Sequence, residues 1–521
     1  MHASPRVAIR VDASAAMGTG HLKRCLSLAQ ALTETGAQTR FICRALDAVA
    51  AQVLATQEVD VHWLPTPRTP FTPPADAPPH ARWAGLSATD DAQQTAEALA
   101  DWSPDWVVVD HYAFDARWHH AVRQALGCHL LVIDDLADRT MAADALLDHN
   151  WDADHRRKYA AHVHRPLIWL TGTRHALLTP AYRHAPRCAL RDEVHSIGIF
   201  MGGTDPGGAS AQVVQACRAA GFVGPLEVVS TSASPHLPGL RQACAADRDT
   251  TLTLDEPDLA AFFARHDLQI GAGGGATWER CCIGAPTIAL VLAANQAVVV
   301  PALDRLGALS AARLDNTDTA DLPTLTDALH QLLPDAAARY ALGQQAANLV
   351  DGRGAQRVAL SLLGERLQLR PATLDDAPLL HSWRNHPSVR AVSATQDPIA
   401  FEAHEGWMRA VLAHPARWLF VGQVGHLPVG SIRFDRLDSG HLEVSLYLDP
   451  ELQGMGLGRH LLAAGEQALL ARYPAGITVD ASVVPDNASS RRLFESGGYH
   501  GGPLQYQKTI GPLPGPTETA P

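Results

Sequence analysis

Histidine and glycine are spaced in this chain as they would be if an imidazole had to reach a ligand held by backbone amides. The run Val7-Ala-Ile-Arg-Val-Asp-Ala-Ser-Ala-Ala-Met-Gly-Thr-Gly-His21 reads as strand, flexible loop, then helix, with Leu22, Cys25, Leu26, Ala29 and Leu32 on one helical face. Gly18 and Gly20 allow close approach of the backbone, and amides at a helix start receive phosphate oxygens, so His21 stands where a bound substrate could meet it. The same residues also fit a tight turn with an exposed histidine, and a glycine pair does not choose between the two. A second loop, Met201-Gly-Gly-Thr-Asp-Pro-Gly-Gly208, offers Gly202, Gly203 and the Thr204 hydroxyl as an anion nest, with Asp205 fixing the turn; turn chemistry alone is the alternative. A third, Gly271-Ala-Gly-Gly-Gly-Ala-Thr-Trp-Glu-Arg280, puts Gly273, Gly274, Gly275 and Thr277 at a helix start and Glu279 in its first turn. A carboxylate there suits ribose hydroxyls or merely complements the helix dipole. Asn295 and Gln296 close the next strand, at the edge where α/β sheets bind ligands. Far along the chain, Gln453-Gly-Met-Gly-Leu-Gly-Arg459 opens another helix with amides suited to a pyrophosphate.

These loops need strands and helices to hold them. Short apolar runs at Val7 to Val11, Thr39 to Cys43, Trp106 to Val109 and His129 to Ile133 alternate with helical patterns, which predicts βαβ units around a buried parallel sheet. The pattern resets after Tyr182, and Ser196 to Met201, Leu226 to Val229, Leu268 to Ile270 and Thr287 to Leu292 predict a second unit of the same kind. Two such units in tandem put their loops on either side of a cleft. From Leu369 the order changes to strand, turn, helix, then strands at Trp418 to Val424, Pro428 to Phe434 and His441 to Leu448, an antiparallel sheet leading into the Gln453 loop. The expected domains are residues 1–185, 186–364 and 368–510, with a Pro- and Thr-rich mobile tail over 511–521.

At 521 residues the chain exceeds one ordinary core. Its 46% hydrophobic and 18% charged residues fit packed domains, and its net charge of -12 argues against a nucleic-acid surface. The 8 cysteines form no CxxC pair, so neither a zinc knuckle nor a disulfide framework is expected. The longest apolar region, Ala285 to Leu303, is interrupted by Asn295, Gln296 and Pro301, and no charged start leads into a signal-like segment. We expect a soluble cytoplasmic protein without membrane partners.

Arg10-Val-Asp-Ala-Ser, Gly18-Thr-Gly-His, Val109-Asp-His-Tyr112, Ile133-Asp-Asp-Leu-Ala-Asp-Arg139, Gly202-Gly-Thr-Asp-Pro206, Thr277-Trp-Glu-Arg-Cys281, Asn295-Gln296 and Asp351-Gly-Arg-Gly354 occur in that order. Together they resemble the UDP-sugar hydrolase of pseudaminic acid biosynthesis over about Arg6 to Leu363. The resemblance implies a GT-B-like pair of Rossmann-type lobes, as in the lipid II glycosyltransferase. It implies inverting hydrolysis of UDP-2,4-diacetamido-2,4,6-trideoxy-β-L-altropyranose without a metal. His21 matches the family's catalytic histidine, Asp12, Tyr112 and Asn295 match polar positions around the sugar, and the substrate is expected to be held by Gly18, Gly20, Gly202, Gly203, Thr204, Asp205, Gly273, Gly274, Gly275, Thr277, Glu279 and Gln296. Asp134 and Asp135, as strand neighbours, point to opposite faces and are not expected to act together. His119, His120, His162 and His164 lack a metal-site pattern and are read as surface residues.

The Gln453 segment fits the Q-x-x-G-x-G signature of the GNAT acetyltransferases, and Val483-Val-Pro-Asp-Asn-Ala-Ser-Ser490 resembles their later cofactor segment. The resemblance implies an α+β domain using acetyl-CoA held by Leu448, Gln453, Gly454, Met455, Gly456, Leu457, Gly458 and Arg459, with Asn487 at the pantetheine arm or nearby structure. Glu443 is a candidate base toward an acceptor ammonium and equally a solvated strand residue. Phe494 stands where many relatives have a tyrosine acid, with Tyr499 as fallback. In the pseudaminic pathway a GNAT enzyme acetylates the 4-amino UDP-sugar that becomes the hydrolase substrate, so the expected function is bifunctional. The rivals are a glycosyltransferase, because a UDP pocket does not dictate the acceptor, and a nucleotide-sugar sensor without turnover.

Overall fold

Strand sequences in the first half are apolar without alternation because both faces of each strand are covered by helices. The computed structural model describes residues 4–67, 69–203, 205, 207–293, 296–314, 322–502 and 504–511. The chain forms two compact units, one built on Gln38–Val358 with the N-terminal residues up to Thr33, the other on Glu34–Ala37 and the chain from Ala359.

The first unit holds two parallel sheets. The first consists of β1 (Arg6–Val11), β2 (Gln38–Arg44), β3 (Asp60–Leu64), β4 (Trp106–Asp110), β5 (His129–Ile133), β6 (Ala145–Asp148) and β7 (Ile168–Thr171), in the order β3-β2-β1-β4-β5-β6-β7. The second consists of β8 (Ile197–Phe200), β9 (Leu226–Ser230), β10 (Thr250–Leu254), β11 (Leu268–Ala272), β12 (Thr287–Leu290) and β13 (Ser310–Ala312), in the order β10-β9-β8-β11-β12-β13. This is the pair of Rossmann-type lobes expected from the sequence. In both sheets the order reverses beside the first strand, between β1 and β4 and between β8 and β11, which opens a crevice at those strands' C-terminal ends. The loops carrying His21, Gly202 and Gly273 all leave from these positions.

The end of β1 is anchored by a buried ion network. Arg10 reaches Asp12 at 2.6 Å and Asp91 at 2.6 Å, Arg44 reaches Asp91 at 2.7 Å, and the Trp118 indole donates to Asp91 at 3.0 Å. His119, expected on the surface, is instead 0% exposed. Its helix, Ala116–Leu126, packs that face inward, and the Ala142 amide donates to His119 Nδ1 at 3.2 Å.

The second unit carries a mixed sheet of β14 (Gln368–Pro371), β15 (Arg417–Val424), β16 (Leu427–Arg436), β17 (Leu442–Leu448), β18 (Ile477–Ser482), β19 (His500–Gly502) and β20 (Gln505–Ile510). Its order is β14-β15-β16-β17-β18-β20-β19, α+β as expected. β17 and β18 run parallel but pair only at Leu442 with Val479 and Glu443 with Asp480, then splay apart. The long helix Leu457–Arg472 lies against β16, with Gly465 close to Ile432 and Phe434. No helix among the described residues is long and apolar enough to cross a membrane. The expected tail over 511–521 falls outside the described residues beyond Gly511.

Removing Asp91 takes a buried carboxylate partner from the guanidinium groups of Arg10 and Arg44. Asp91→Ala is expected to destabilise the first unit by about 3–5 kcal/mol, read as a lower denaturant midpoint; an unchanged midpoint contradicts the network's role.

Candidate functional site

His21 begins the helix Gly20–Glu34 and is 8% exposed, with its ring edge-on to Tyr112 at 4.6 Å between centroids. Its Nδ1 lies 2.6 Å from Asp110 Oδ1, and Asp110 ends β4, the strand beside β1. Arg24, one turn along the helix, grips the same carboxylate with Nε to Oδ2 at 2.6 Å and Nη2 to Oδ1 at 2.6 Å. Burial pushes the Asp110 carboxyl up, but Arg24 and His21 outweigh it and hold the group well below the usual carboxylate range. A permanent carboxylate at that distance requires the Nδ1 proton, so a neutral His21 carries its lone pair on Nε2, the arrangement a general base needs. Asp110 belongs to the Val109-Asp-His-Tyr112 motif, and only the pairing of β1 with β4 brings it beside His21.

The crevice wall continues from Tyr112, a candidate from the sequence, through Asp135 to Asn150 and Trp278. The Tyr112 hydroxyl donates to Asp135 Oδ1, Asn150 Nδ2 donates to Asp135 Oδ2 at 3.1 Å, and Trp278 of the second lobe donates to Asn150 Oδ1 at 3.2 Å. His80 and Trp83 complete an aromatic cluster with Tyr112, at 5.6 and 5.8 Å between centroids. Asp134 and Asp135 lie just past β5 and are not strand neighbours as expected, and Asp134 turns away to Arg139 at 2.6 Å. His149, beside Asn150, is buried with Nδ1 unpartnered among the described residues, and burial holds its pKa down to about 4.

Asp12 departs from its expected place at the sugar. It is 0% exposed, with both oxygens engaged by Arg10, the Arg44 amide donating at 2.7 Å and His111 Nε2 at 3.3 Å. The Arg10 guanidinium, the Arg44 amide at the end of β2 and the His111 imidazole converge on this carboxylate, so it braces the loop before His21 and offers no free oxygen to a ligand.

Across the crevice, Gly202 adopts φ +94°, and a Cβ on Gly203 would lie 4.0 Å from Thr19 Oγ1, so the two lobes' glycine loops face each other. Asp205 is not a ligand group: its oxygens accept from the Ala209 amide at 2.9 Å and the Ser210 amide at 3.0 Å, capping the helix Ala209–Ala219. Those two amides are therefore closed to a phosphate. The helix Ala276–Ile283 has no side-chain cap, and Gly273, Gly274 and Gly275 lead into it. Gly273 is required by packing, since a Cβ there would meet Val300 at 2.1 Å. Gln296 lies beside this loop, its Nε2 3.8 Å from a Cβ on Gly274, and its Oε1 accepts from the Leu292 amide at 2.9 Å. Thr277 is buried, and burial raises the Glu279 pKa against the opposing effects of Tyr182 and Lys23. Thr204 and Asn295 lie outside the described residues.

In the second unit, Gly454 and Gly456 take φ +83° and +77°, and Cβ atoms there would meet nothing within 4 Å. They lead into the helix Leu457–Arg472, which no side chain caps, next to the splay of β17 and β18. Gln453 and Arg459 are exposed, Met455 is half-buried, Leu457 is buried, and Leu448 lies 3.9 Å from a Cβ on Gly458. This loop and splay fit a pyrophosphate with its attached arm. Asn487 is engaged: its Oδ1 accepts from the Ser490 amide at 2.9 Å and its Nδ2 donates to Val392 O at 3.3 Å, a helix-capping role. Glu443 is half-buried and accepts from Ser482 Oγ at 2.9 Å. Phe494 and Tyr499 are buried edge to face at 5.1 Å. No group of three or more His, Cys, Asp or Glu among the described residues is placed to hold a metal.

Residues 366–500 match the family model described as Acetyltransferase (GNAT) domain, so the chain carries a GNAT domain. The spore coat polysaccharide biosynthesis protein SpsG of Bacillus subtilis (strain 168) is 26% identical over 194 residues, 37% of this chain and 57% of the relative. The chain thus spans just over half the length of that curated relative. Among solved structures, Acinetobacter baumannii MurG aligns over 68% of this chain and 98% of its own at 14% identity and a TM-score of 0.47. The acetyltransferase yncA from Salmonella typhimurium, solved with acetyl-CoA, aligns over 29% of this chain and 99% of its own at 22% identity and a TM-score of 0.25.

Acid should weaken the first unit through its buried histidines. Burial depresses the pKa of His149 to about 4 and of His119 to about 3, so unfolding takes up protons as pH falls below the ordinary 6.5. Each is expected to contribute about 2 kcal/mol of lost stability between pH 7 and 5, read from denaturant midpoints. His149→Asn should reduce that loss, and an equal loss in the variant would contradict the assignment.

Proposed function

We propose that the chain is a bifunctional nucleotide-sugar enzyme of pseudaminic acid biosynthesis, with residues 1–185 and 186–364 forming a UDP-sugar hydrolase and 368–510 an N-acetyltransferase. The observation that carries the first half is the His21–Asp110 pair at the crevice, opposite the Gly202 and Gly273 loops. UDP-2,4-diacetamido-2,4,6-trideoxy-β-L-altropyranose binds with its diphosphate toward the Gly273 to Gly275 loop, Thr277 and Gln296, and its ribose toward Glu279. The sugar lies against His21 and Tyr112. His21 Nε2 takes a proton from water as the oxygen bonds to the anomeric carbon, and the bond from that carbon to the phosphate oxygen breaks with inversion, releasing UDP. The diphosphate needs only stabilisation of its charge to leave.

In the second half, acetyl-CoA supplies the acetyl thioester. Gly454, Gly456, Leu457 and Gly458 hold its pyrophosphate at the helix start, and the β17–β18 splay admits its arm. Glu443 removes a proton from the 4-amino nitrogen of UDP-4-amino-4,6-dideoxy-N-acetyl-β-L-altrosamine as that nitrogen bonds to the acetyl carbon, and the carbon–sulfur bond breaks, releasing CoA as a thiolate that takes up a proton from solvent. The GNAT match supports acetyl transfer, and the 26% identity to SpsG, a spore coat polysaccharide biosynthesis protein, supports a sugar-biosynthetic setting.

Acetyl-CoA and the 4-amino UDP-sugar, followed by mass spectrometry, should yield CoA first and then UDP with the free diacetamido sugar. In H₂¹⁸O one heavy oxygen should enter the sugar and none the UDP. UDP release that requires an added sugar or lipid acceptor would overturn hydrolysis in favour of transfer. His21→Ala should slow UDP release by about 10²–10⁴-fold while UDP still binds; undiminished release would overturn the assignment.

A further inference from the structure

Arg280 is a cation that the fold would do better without. It is 1% exposed, Nη2 donates to Ala272 O at 2.8 Å and to Thr277 Oγ1 at 3.2 Å, and Nε and Nη1 are buried without a partner among the described residues. The Phe263 ring lies 5.9 Å from its guanidinium carbon. An apolar residue of similar length would fill this space without desolvating a charge or orphaning two nitrogen groups. The neighbouring strand is shaped around it: a Cβ on Gly271 would lie 2.1 Å from Nη1 and 2.8 Å from Phe200 O. Burial lowers the Arg280 pKa to about 10, which leaves the group charged at neutral pH.

Its two hydrogen bonds say where that charge acts. Both acceptors belong to the segment from the end of β11 into the first turn of the helix Ala276–Ile283, the uncapped glycine loop facing the crevice. By donating to Thr277 Oγ1, the guanidinium occupies an acceptor site on that oxygen and leaves the Thr277 hydroxyl to act as donor. A positive charge in a low-dielectric layer beneath the loop attracts an anion above it with little screening, and a neutral ligand feels almost none of this.

We propose that Arg280 is a positioning residue for the diphosphate, held under the glycine loop to orient the Thr277 hydroxyl and to favour a charged nucleotide over its nucleoside. The proposal rests on the nucleotide reading of the crevice. Its signature is a difference between two ligands, which loss of packing does not produce.

Titration calorimetry with UDP and with uridine on the full chain reads that difference. Arg280→Met is expected to weaken UDP by about tenfold or more and uridine by less than about twofold. Arg280→Lys should retain most of the preference for UDP, because the charge stays. Thr277→Val, which leaves the buried charge in place, should weaken UDP several-fold and spare uridine, and it carries the test if Arg280→Met does not fold. Equal weakening of both ligands, or no change in either, in the folded variants overturns the proposal and leaves the nucleotide reading intact. A wild-type chain that binds neither UDP nor uridine overturns both.

Discussion

One buried carboxylate governs the crevice of the first unit. Asp110 sits at the end of β4, cannot be protonated at neutral pH beside Arg24, and therefore dictates which nitrogen of His21 carries a proton. Donors from two side chains, Arg24 and His21, on one carboxylate also fix the first turn of the helix Gly20–Glu34 against the sheet, so the imidazole is oriented before any ligand arrives. Burying such a group costs several kcal/mol of desolvation and is tolerated only with this degree of pairing.

Beside it, Asp12 and Asp91 are held by Arg10 and Arg44, with no carboxylate oxygen left over for chemistry. The two networks divide the work, one bracing the loop that follows β1 and the other presenting His21. A third chain of hydrogen bonds, Tyr112 to Asp135 to Asn150 to Trp278, ties the aromatic wall beside His21 to the second lobe. The crevice is thus set by side chains from both lobes, with the glycine loops of Gly202 and Gly273 opposite His21.

Long apolar runs and glycine loops were legible in the sequence because each has a local physical cause. The strands through Val7, Trp106, His129 and Leu226 and the helix after His21 emerged where periodicity put them. Short strands such as β6 and β13 passed unnoticed, being too brief to carry a period. The roles of Asp110, Arg24, Asn150 and Trp278 depend on pairings between segments far apart in the chain, which local pattern does not encode. Asp12 was misplaced for the same reason, since nothing near it in sequence announces that Arg44 and His111 converge on it. Asp205 and Asn487 looked like ligand groups because capping and ligand binding use the same residue types at the same place, a helix start.

The second unit obeys a different constraint, the divergence of β17 from β18 after two paired residues beside an uncapped, glycine-led helix. The proposed sequence of steps joins an amine acylation there to a hydrolysis in the first unit, and its central claim is the tautomer control of His21 by Asp110. The direct test is Asp110→Asn, which keeps size and hydrogen-bonding shape but removes the charge. Single-turnover UDP release from the diacetamido UDP-sugar should fall by about 10²–10⁴-fold with UDP affinity nearly unchanged. A folded variant that releases UDP at close to the wild-type rate would contradict the account.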